Sequence, residues 1–191
     1  CVPGVTPMKS LGRDAKVSGS RISYKVNQII GGTDQVLIAE LDVPAALAND
    51  QRQLAEVKVA YRATNGEPGA SIAQSVQGRF SQSDSEIKAG IDADVMRDVT
   101  VLLVREKKDE AIRLRDAGRL DESQKKFKDN ADYVRAQQQR YGFGGNTSIE
   151  QEIKANDAAA APKAASPEEW SKVRKTLREG DTNQAGSSRK F

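Results

Sequence analysis

The chain has 191 residues, 37% of them apolar and 30% charged, with a net charge of +3, which suits one domain, or one and a half, around a modest core. It has no histidine, and its single cysteine is Cys1, so an internal disulfide, a His/Cys zinc site and every His-dependent triad are excluded. Aromatic residues make up only 5% and charges of both signs are interleaved, which argues against a nucleic-acid partner.

No apolar run approaches the roughly 18 residues of a membrane span, and no signal peptide pattern is present. A start at Cys1 reads as a piece cut from a longer polypeptide in preference to a lipid-bearing terminus.

Cys1–Leu11 carries Pro3, Gly4 and Pro7. It reads as irregular or as an edge segment, because proline cannot donate to a central ladder. Ile22, Tyr24, Val26 and Ile30 alternate with polar residues and predict a half-buried strand that closes at the Gly31-Gly32-Thr33-Asp34 turn. A second strand, Val36–Val43, ends at Pro44, and Ala45–Gln53 reads as a polar connection or one helical turn. Leu54–Ala63 is the clearest strand, with Ala55, Val57, Val59 and Tyr61 on its apolar face. Asn65-Gly66 supplies hairpin chemistry. The partner strand is Ala70–Phe80, with Ile72, Val76 and Phe80 turned to the core and Gly78 at a bulge or close backbone approach. Glu86–Ile91 reads as a short last strand.

Asp92–Tyr141 predicts two helices folded back on each other. Asp92 or Asp94 caps the first, which carries Val95, Val99, Leu102, Leu103, Ala111 and Leu114 at helical spacing. Its fully charged middle, Arg105–Glu110, is expected to be mostly in solvent. Gly118 suits a left-handed cap, and Asp121 with Gln124 suggests a capping box for the next helix. Phe127, Ala131, Val134 and Tyr141 form the thin apolar stripe of that second helix. The turn resembles one tetratricopeptide unit, but no second copy follows at a 34-residue period. Residues 142–165 read as a linker. In the last segment, residues 166–191, Ser166 caps a short helix that presents Trp170, Val173 and Leu177 and closes at Gly180, followed by a polar tail.

The expected class is therefore α+β: an antiparallel sheet or sandwich over 1–91 with four or five visible strands, a helical hairpin over 92–141, the linker, and the short amphipathic helix. No catalytic constellation appears. Asp92-x-Asp94 lacks the remaining positions of a calcium loop, Gly142-Phe-Gly-Gly145 lacks the context of a phosphate loop, and Ser81–Ser85 reads as a polar loop. Glu40 and Asp42 read as the solvent face of a strand. The residues that suggest partner contact are Trp170, Val173 and Leu177 on the tail helix and Phe127 and Val134 on the hairpin, because a lone Trp on a short helix is a common docking anchor.

Several stretches together resemble a known region: Ser20-Arg-Ile-Ser-Tyr-Lys-Val26, Gln28-Ile-Ile-Gly-Gly32, Val36-Leu-Ile-Ala-Glu-Leu-Asp-Val-Pro44, Leu54-Ala-Glu-Val-Lys-Val-Ala-Tyr61 and Ala117-Gly-Arg-Leu-Asp-Glu122. The span of about residues 9–141 is similar to the region downstream of the von Willebrand factor type A domain in bacterial proteins that carry that domain. There a β-sandwich and a helical hairpin follow the metal-binding domain. The type A domain's Asp-x-Ser-x-Ser motif is not in this chain, so the resemblance implies no cofactor or metal ligand here; a divalent metal would belong to the absent domain. It implies instead a non-catalytic accessory module, at the cell envelope, whose partner is the preceding type A segment of its precursor or another protein chain. Two other functions stand beside it. One is a helical adaptor that binds through the hairpin and the Trp170 helix. The other is a basic nucleic-acid binder using Lys107, Lys108, Arg113, Lys125, Lys126 and Lys128, weakened by the interleaved Glu106, Asp109, Glu110 and Asp129.

Overall fold

A computed structural model of the chain describes residues 1–27, 36–62, 69–145, 147–161 and 166–185. The class is α+β. The chain divides into two compact units: a strand-rich one of Cys1–Lys25 and Ala39–Gly90, and a helical one of Val26–Ile38 and Ile91–Phe191.

In the strand unit, β1 (Thr6–Leu11) pairs with β4 (Ile38–Asp42), β2 (Lys16–Ser18) with β3 (Arg21–Ser23), and β5 (Gln51–Ala60) with β6 (Ser71–Arg79). Among the described residues these are three two-stranded ladders rather than the single sheet or sandwich that the alternation suggested. Alternation specifies which face of a strand is apolar; it does not specify which strand becomes the neighbour. Pro7 is accommodated at the second position of β1, in a ladder of two edges. Of the strand expected over Ile22–Ile30, the described residues are laddered at Arg21–Ser23. Its partner is the three-residue β2, too short to show a pattern, and Val17 faces Ile22 in the register. Gly19, with φ of +54°, turns this hairpin. Ile30, the Gly31–Asp34 turn and the Asn65-Gly66 turn lie outside the described residues.

β5 and β6 run antiparallel with Ala55 opposite Val76, Val57 opposite Gln74 and Val59 opposite Ile72, and a bulge interrupts the ladder at Leu54. Gly78 sits opposite Arg52, two residues before that bulge on the facing strand. A Cβ there would lie 2.7 Å from Leu54 Cδ1, so a larger residue would require the Leu54 side chain to shift. β5 also starts within the stretch expected as a connection. Asn49, with φ of 70°, turns the chain into it, and the N–H of Phe80 donates to the carbonyl of Asp50 (2.9 Å). The short strand expected over Glu86–Ile91 is a helix instead, α1 (Asp84–Ala89). Ser83 Oγ accepts from the N–H of Glu86, and Asp84 and Glu86 place negative charge at the positive end of the dipole. The hydroxyl-rich loop is thus a helix cap.

The helical unit comprises α2 (Ala93–Asp116), α3 (Leu120–Tyr141), α4 (Thr147–Ala160) and α5 (Pro167–Ala185). Asp92 Oδ1 accepts from the N–H groups of Asp94 and Val95 (2.9 and 3.0 Å), which fixes the start of α2. After Ala117, Gly118 takes φ of +77° and reverses the chain. The capping box expected at Asp121 does not form. Arg119 holds the N-cap position without a side-chain cap bond, and its guanidinium pairs with Glu122 (2.7 and 2.6 Å). Gly142 (φ 72°) ends α3.

The largest departure is α4, which lies in the expected linker. Its stripe of Ile149, Glu152, Asn156 and Ala159 is buried at helical spacing, but two of those four residues are polar and the helix ends in the alanine run 158–161, so hydropathy alone reads the segment as low complexity. α3 packs against both α2 and α4. One apolar cluster joins Val104, Val134, Phe143 and Ile149. A second joins Ala111, Ile112, Phe127, Ala159 and Leu177. α5 begins with the expected cap, here reciprocal: Ser166 Oγ accepts from the N–H of Glu169 (3.2 Å) and Ser166 N–H donates to Glu169 Oε2 (3.0 Å). It does not close at Gly180 but continues to Ala185.

Candidate interaction surfaces

The β5–β6 ribbon carries its apolar residues on one face. Strand period puts Ala55, Val57, Val59 and Tyr61 together, and the register adds Ile72 and Val76 from the opposite strand. This face is open: Val57 is 49% exposed, Val59 46%, Tyr61 50%, Ile72 58% and Val76 39%. The reverse face carries Glu56 and Lys58, paired at 3.1 Å, and Ser71, Ala73 and Ser75. A scattered exposed Val is ordinary, whereas five on one face of a ribbon mark a surface that gains by being covered. Each is about half exposed, so full burial would return roughly 1 kcal/mol apiece.

The edge of the ribbon has the same character. Among the described residues β6 pairs with β5 alone. The N–H of Tyr61 donates to the carbonyl of Ala70 (3.4 Å), so alternate residues of β6 from Ala70 onward turn their main-chain groups toward β5. Ser71, Ala73 and Ser75 therefore direct theirs to the outer edge. From Ser71 to Gly78 that edge carries no charge and no proline, the two devices that most often block strand addition. β5, by contrast, carries Arg52, Glu56 and Lys58, and its Leu54 carbonyl accepts from the N–H of Val2 (3.2 Å).

The residues expected to meet a partner on the helices have other neighbours. Phe127 and Val134 are fully buried in the core of the helical unit, and Leu177 is buried against Phe127 and Ile112. In this conformation those three meet their own chain. Trp170 is half-buried; its indole Nε1–H donates to Asp116 Oδ1 (2.8 Å), and the Arg115 guanidinium lies 4.3 Å above its ring. Arg174 donates to the other Asp116 oxygen (3.1 Å). The Trp170 hydrogen bond is the first cause that holds the Asp116 carboxyl below its usual range. Partial burial opposes it, and the hydrogen bond and charge of Arg174 and the charge of Arg178 reinforce it. Val173, 37% exposed, is the one member of the set that faces outward.

The charged middle of α2 is mostly in solvent, as expected, but its Lys108 enters a buried ion pair. Lys108 Nζ lies 3.2 and 3.0 Å from the Glu152 carboxylate oxygens, with side chains 1% and 5% exposed. Beside it, Asn130 Nδ2 donates to the Val104 carbonyl (3.1 Å) and to Asn156 Oδ1 (2.9 Å), and Asn156 Nδ2 donates to the Glu152 carbonyl (2.8 Å). The signal that could have found the pair is the fit of Glu152 and Asn156 to one stripe with Ile149 and Ala159. The rest of the charged middle supports the hairpin surface: Lys126 pairs with Glu110 (3.0 Å), and Lys107 lies 3.7 Å above the Tyr133 ring.

Among the described residues no group of three or more His, Cys, Asp or Glu side chains is placed to hold a metal ion, and no helix is long and apolar enough to cross a membrane. The chain matches no protein-family model, no curated protein and no solved structure.

Proposed function

We propose that this chain is a non-catalytic interaction module, an accessory strand-and-helix region of the kind that accompanies a von Willebrand factor type A domain in bacterial adhesion or assembly proteins. The observation that supports it is the open apolar face of β5–β6, whose residues have the alternation of a buried strand pair and the exposure of a surface. The partner in this reading is β-rich protein of the type A precursor, or another chain offering an equivalent layer. It covers Val57, Val59, Tyr61, Ile72 and Val76 and adds a strand along the uncharged edge of β6.

The test is to mix the chain with the type A-containing segment of its precursor. A stable complex is expected, and Val59→Lys with Ile72→Lys in the chain should abolish it while leaving the melting of the chain alone unchanged. Failure to associate, with the isolated chain fully stable and binding no hydrophobic dye, would overturn the reading.

A further inference from the structure

The outer edge of β6 reads nearly the same in both directions. Gln74 stands at the middle, with Ala73 and Ser75 on either side of it, Ile72 and Val76 beyond them, and Ser71 and Gln77 beyond those. Small residues balance small ones, β-branched residues balance β-branched ones, and no charge or proline occurs from Ser71 to Gly78. Such a strand presents to an antiparallel copy of itself the same side chains that it receives.

Hydrogen bonding limits the registers that such a pair can adopt. The main-chain groups of Ser71, Ala73 and Ser75 are turned outward, away from β5. A two-fold axis through Gln74 lets Ala73 of each copy exchange both main-chain bonds with Ser75 of the other. Ile72 of each copy then lies beside Val76 of the other on the apolar face, and Gln74 meets Gln74. Moving the axis to Ala73 would set Ile72 against Gln74 and lose both β-branched pairs. The hydrophobic pattern therefore selects the axis at Gln74.

Charge decides which strand fits. β5 carries Arg52, Glu56 and Lys58, and its Leu54 carbonyl already accepts from the N–H of Val2, so β5 of another copy is a poor match for an uncharged edge. A second β6 brings no charge to the contact. Pairing β6 with β6 uses both uncharged edges and leaves the charged β5 edges outermost. The assembly therefore stops at two copies and does not propagate. It also turns a marginal two-stranded ribbon into a four-stranded sheet.

We propose that β6 pairs antiparallel with β6 of a second copy of this chain, about a two-fold axis at Gln74, to form a homodimer on one four-stranded sheet. The proposal rests on the reading above that this edge receives a strand, and it names a second copy as the strand present when the type A segment is absent. The apolar faces of the two ribbons fall on the same side of the joint sheet, so the surface offered to a covering layer is doubled. The contact is one short strand wide, which places the dimer among weak, reversible associations.

The experiment is sedimentation velocity of the full chain alone, from about 1 μM to about 1 mM, the span of weak dissociation constants. A reversible monomer–dimer equilibrium is expected. Gln74 is exposed, so its replacement leaves the chain folded. Gln74→Lys and Gln74→Glu each set like charges against each other on the axis and should weaken the dimer at least ten-fold, and an equimolar mixture of the two should restore association. A thiol reads the register. In a Cys1→Ser background, Gln74→Cys should form a disulfide-linked dimer on mild oxidation with diamide. Facing Cα atoms at such a position lie about 4.5 Å apart, within the disulfide range of roughly 4.4–6.8 Å. Val76→Cys, which faces Ile72 of the other copy, should stay monomeric under the same treatment. A chain that is monomeric throughout, a dimer indifferent to Gln74→Lys, or equal crosslinking by Val76→Cys and Gln74→Cys would each overturn the proposal. None of these measurements includes the type A segment, so their failure leaves its capture standing, and failed capture by a chain that dimerises removes only that earlier reading.

Discussion

In the helical unit, Val104, Ile112, Phe127, Val134 and Ile149 are sealed from water, and even a lysine is drawn inside with a glutamate to meet it. In the strand unit, the buried apolar side chains among the described residues are Val5, Pro7 and Leu11, while Val57, Val59, Tyr61, Ile72 and Val76 lie open on one face. Both units are amphipathic by sequence. Among the described residues they differ in whether a second layer covers the apolar face. α3 packs against a helix on either side, whereas β5–β6 is a two-stranded ribbon, a structure only marginally stable in water without further strands or a helix on its face. The contrast predicts that the helical unit is the more stable of the two and that covering the apolar face of the ribbon would stabilise it.

The comparison breaks most visibly in the helical core. Phe127→Ala removes a fully buried ring and should cost about 3–5 kcal/mol, enough to unfold the helices in urea melts followed by circular dichroism. Lys108→Ala or Glu152→Ala should cost a similar amount, roughly 3–5 kcal/mol, because each leaves a charge buried without its partner. Replacing both with apolar residues of similar volume, as in Lys108→Met with Glu152→Leu, should be neutral or stabilising by about 1–4 kcal/mol. If the single and the double variants are equally damaging, the pair is doing more than neutralising itself, and registration of α4 by the ion pair becomes the better account.

A smaller effect is expected at the end of α2. Asp116 has a depressed pKa in the folded chain, so its contribution is complete at pH above its unfolded value of about 3.9 and is lost as pH falls through the lower, folded value. The groups around it are partly exposed, and the loss should stay below about 1 kcal/mol. Trp170 is the sole tryptophan, which makes the change easy to follow. Acidification below about pH 4 should shift its emission as the hydrogen bond is lost, and Asp116→Asn should flatten that transition. An unchanged acid transition in Asp116→Asn would move the origin to other carboxylates.

How much of this was legible in the sequence follows from what each signal reports. The caps at Asp92, Ser166 and Gly118 were readable because they are local chemistry. The helical hairpin and the β5–β6 pair were readable because their periods are unambiguous. α4 was not, since a buried stripe that includes Glu152 and Asn156 imitates a polar linker until Lys108 and Asn130 are seen opposite it. Arg105–Glu110 was legible as mostly solvated, and Lys108 is its one buried member. Phe127 and Leu177 were correctly read as apolar stripe positions, but a sequence cannot say whether a stripe faces its own chain or another, and here it faces its own. The reverse ambiguity applies to Val57 and Ile72, whose strand alternation implies burial and which are 49% and 58% exposed among the described residues.

The smallest stability effects are therefore expected on the ribbon, and that smallness is the informative outcome. Val59 and Ile72 face each other across the ladder at 46% and 58% exposure. Changing either to alanine removes little packing, and the unfolding free energy of the isolated chain should move by no more than about 0.5 kcal/mol. Ala73→Pro is sharper. The Ala73 N–H points to the outer edge, so the substitution removes a donor that β5 does not use and blocks strand addition there. The isolated chain should retain its strand signal with Ala73→Pro, and Ala73→Lys, which blocks the same edge by charge, should behave alike. Both should lose capture of the type A segment. If Val59→Ala or Ile72→Ala instead costs as much as a core deletion in the chain alone, the face is already covered within this polypeptide, and the contrast between the two units disappears.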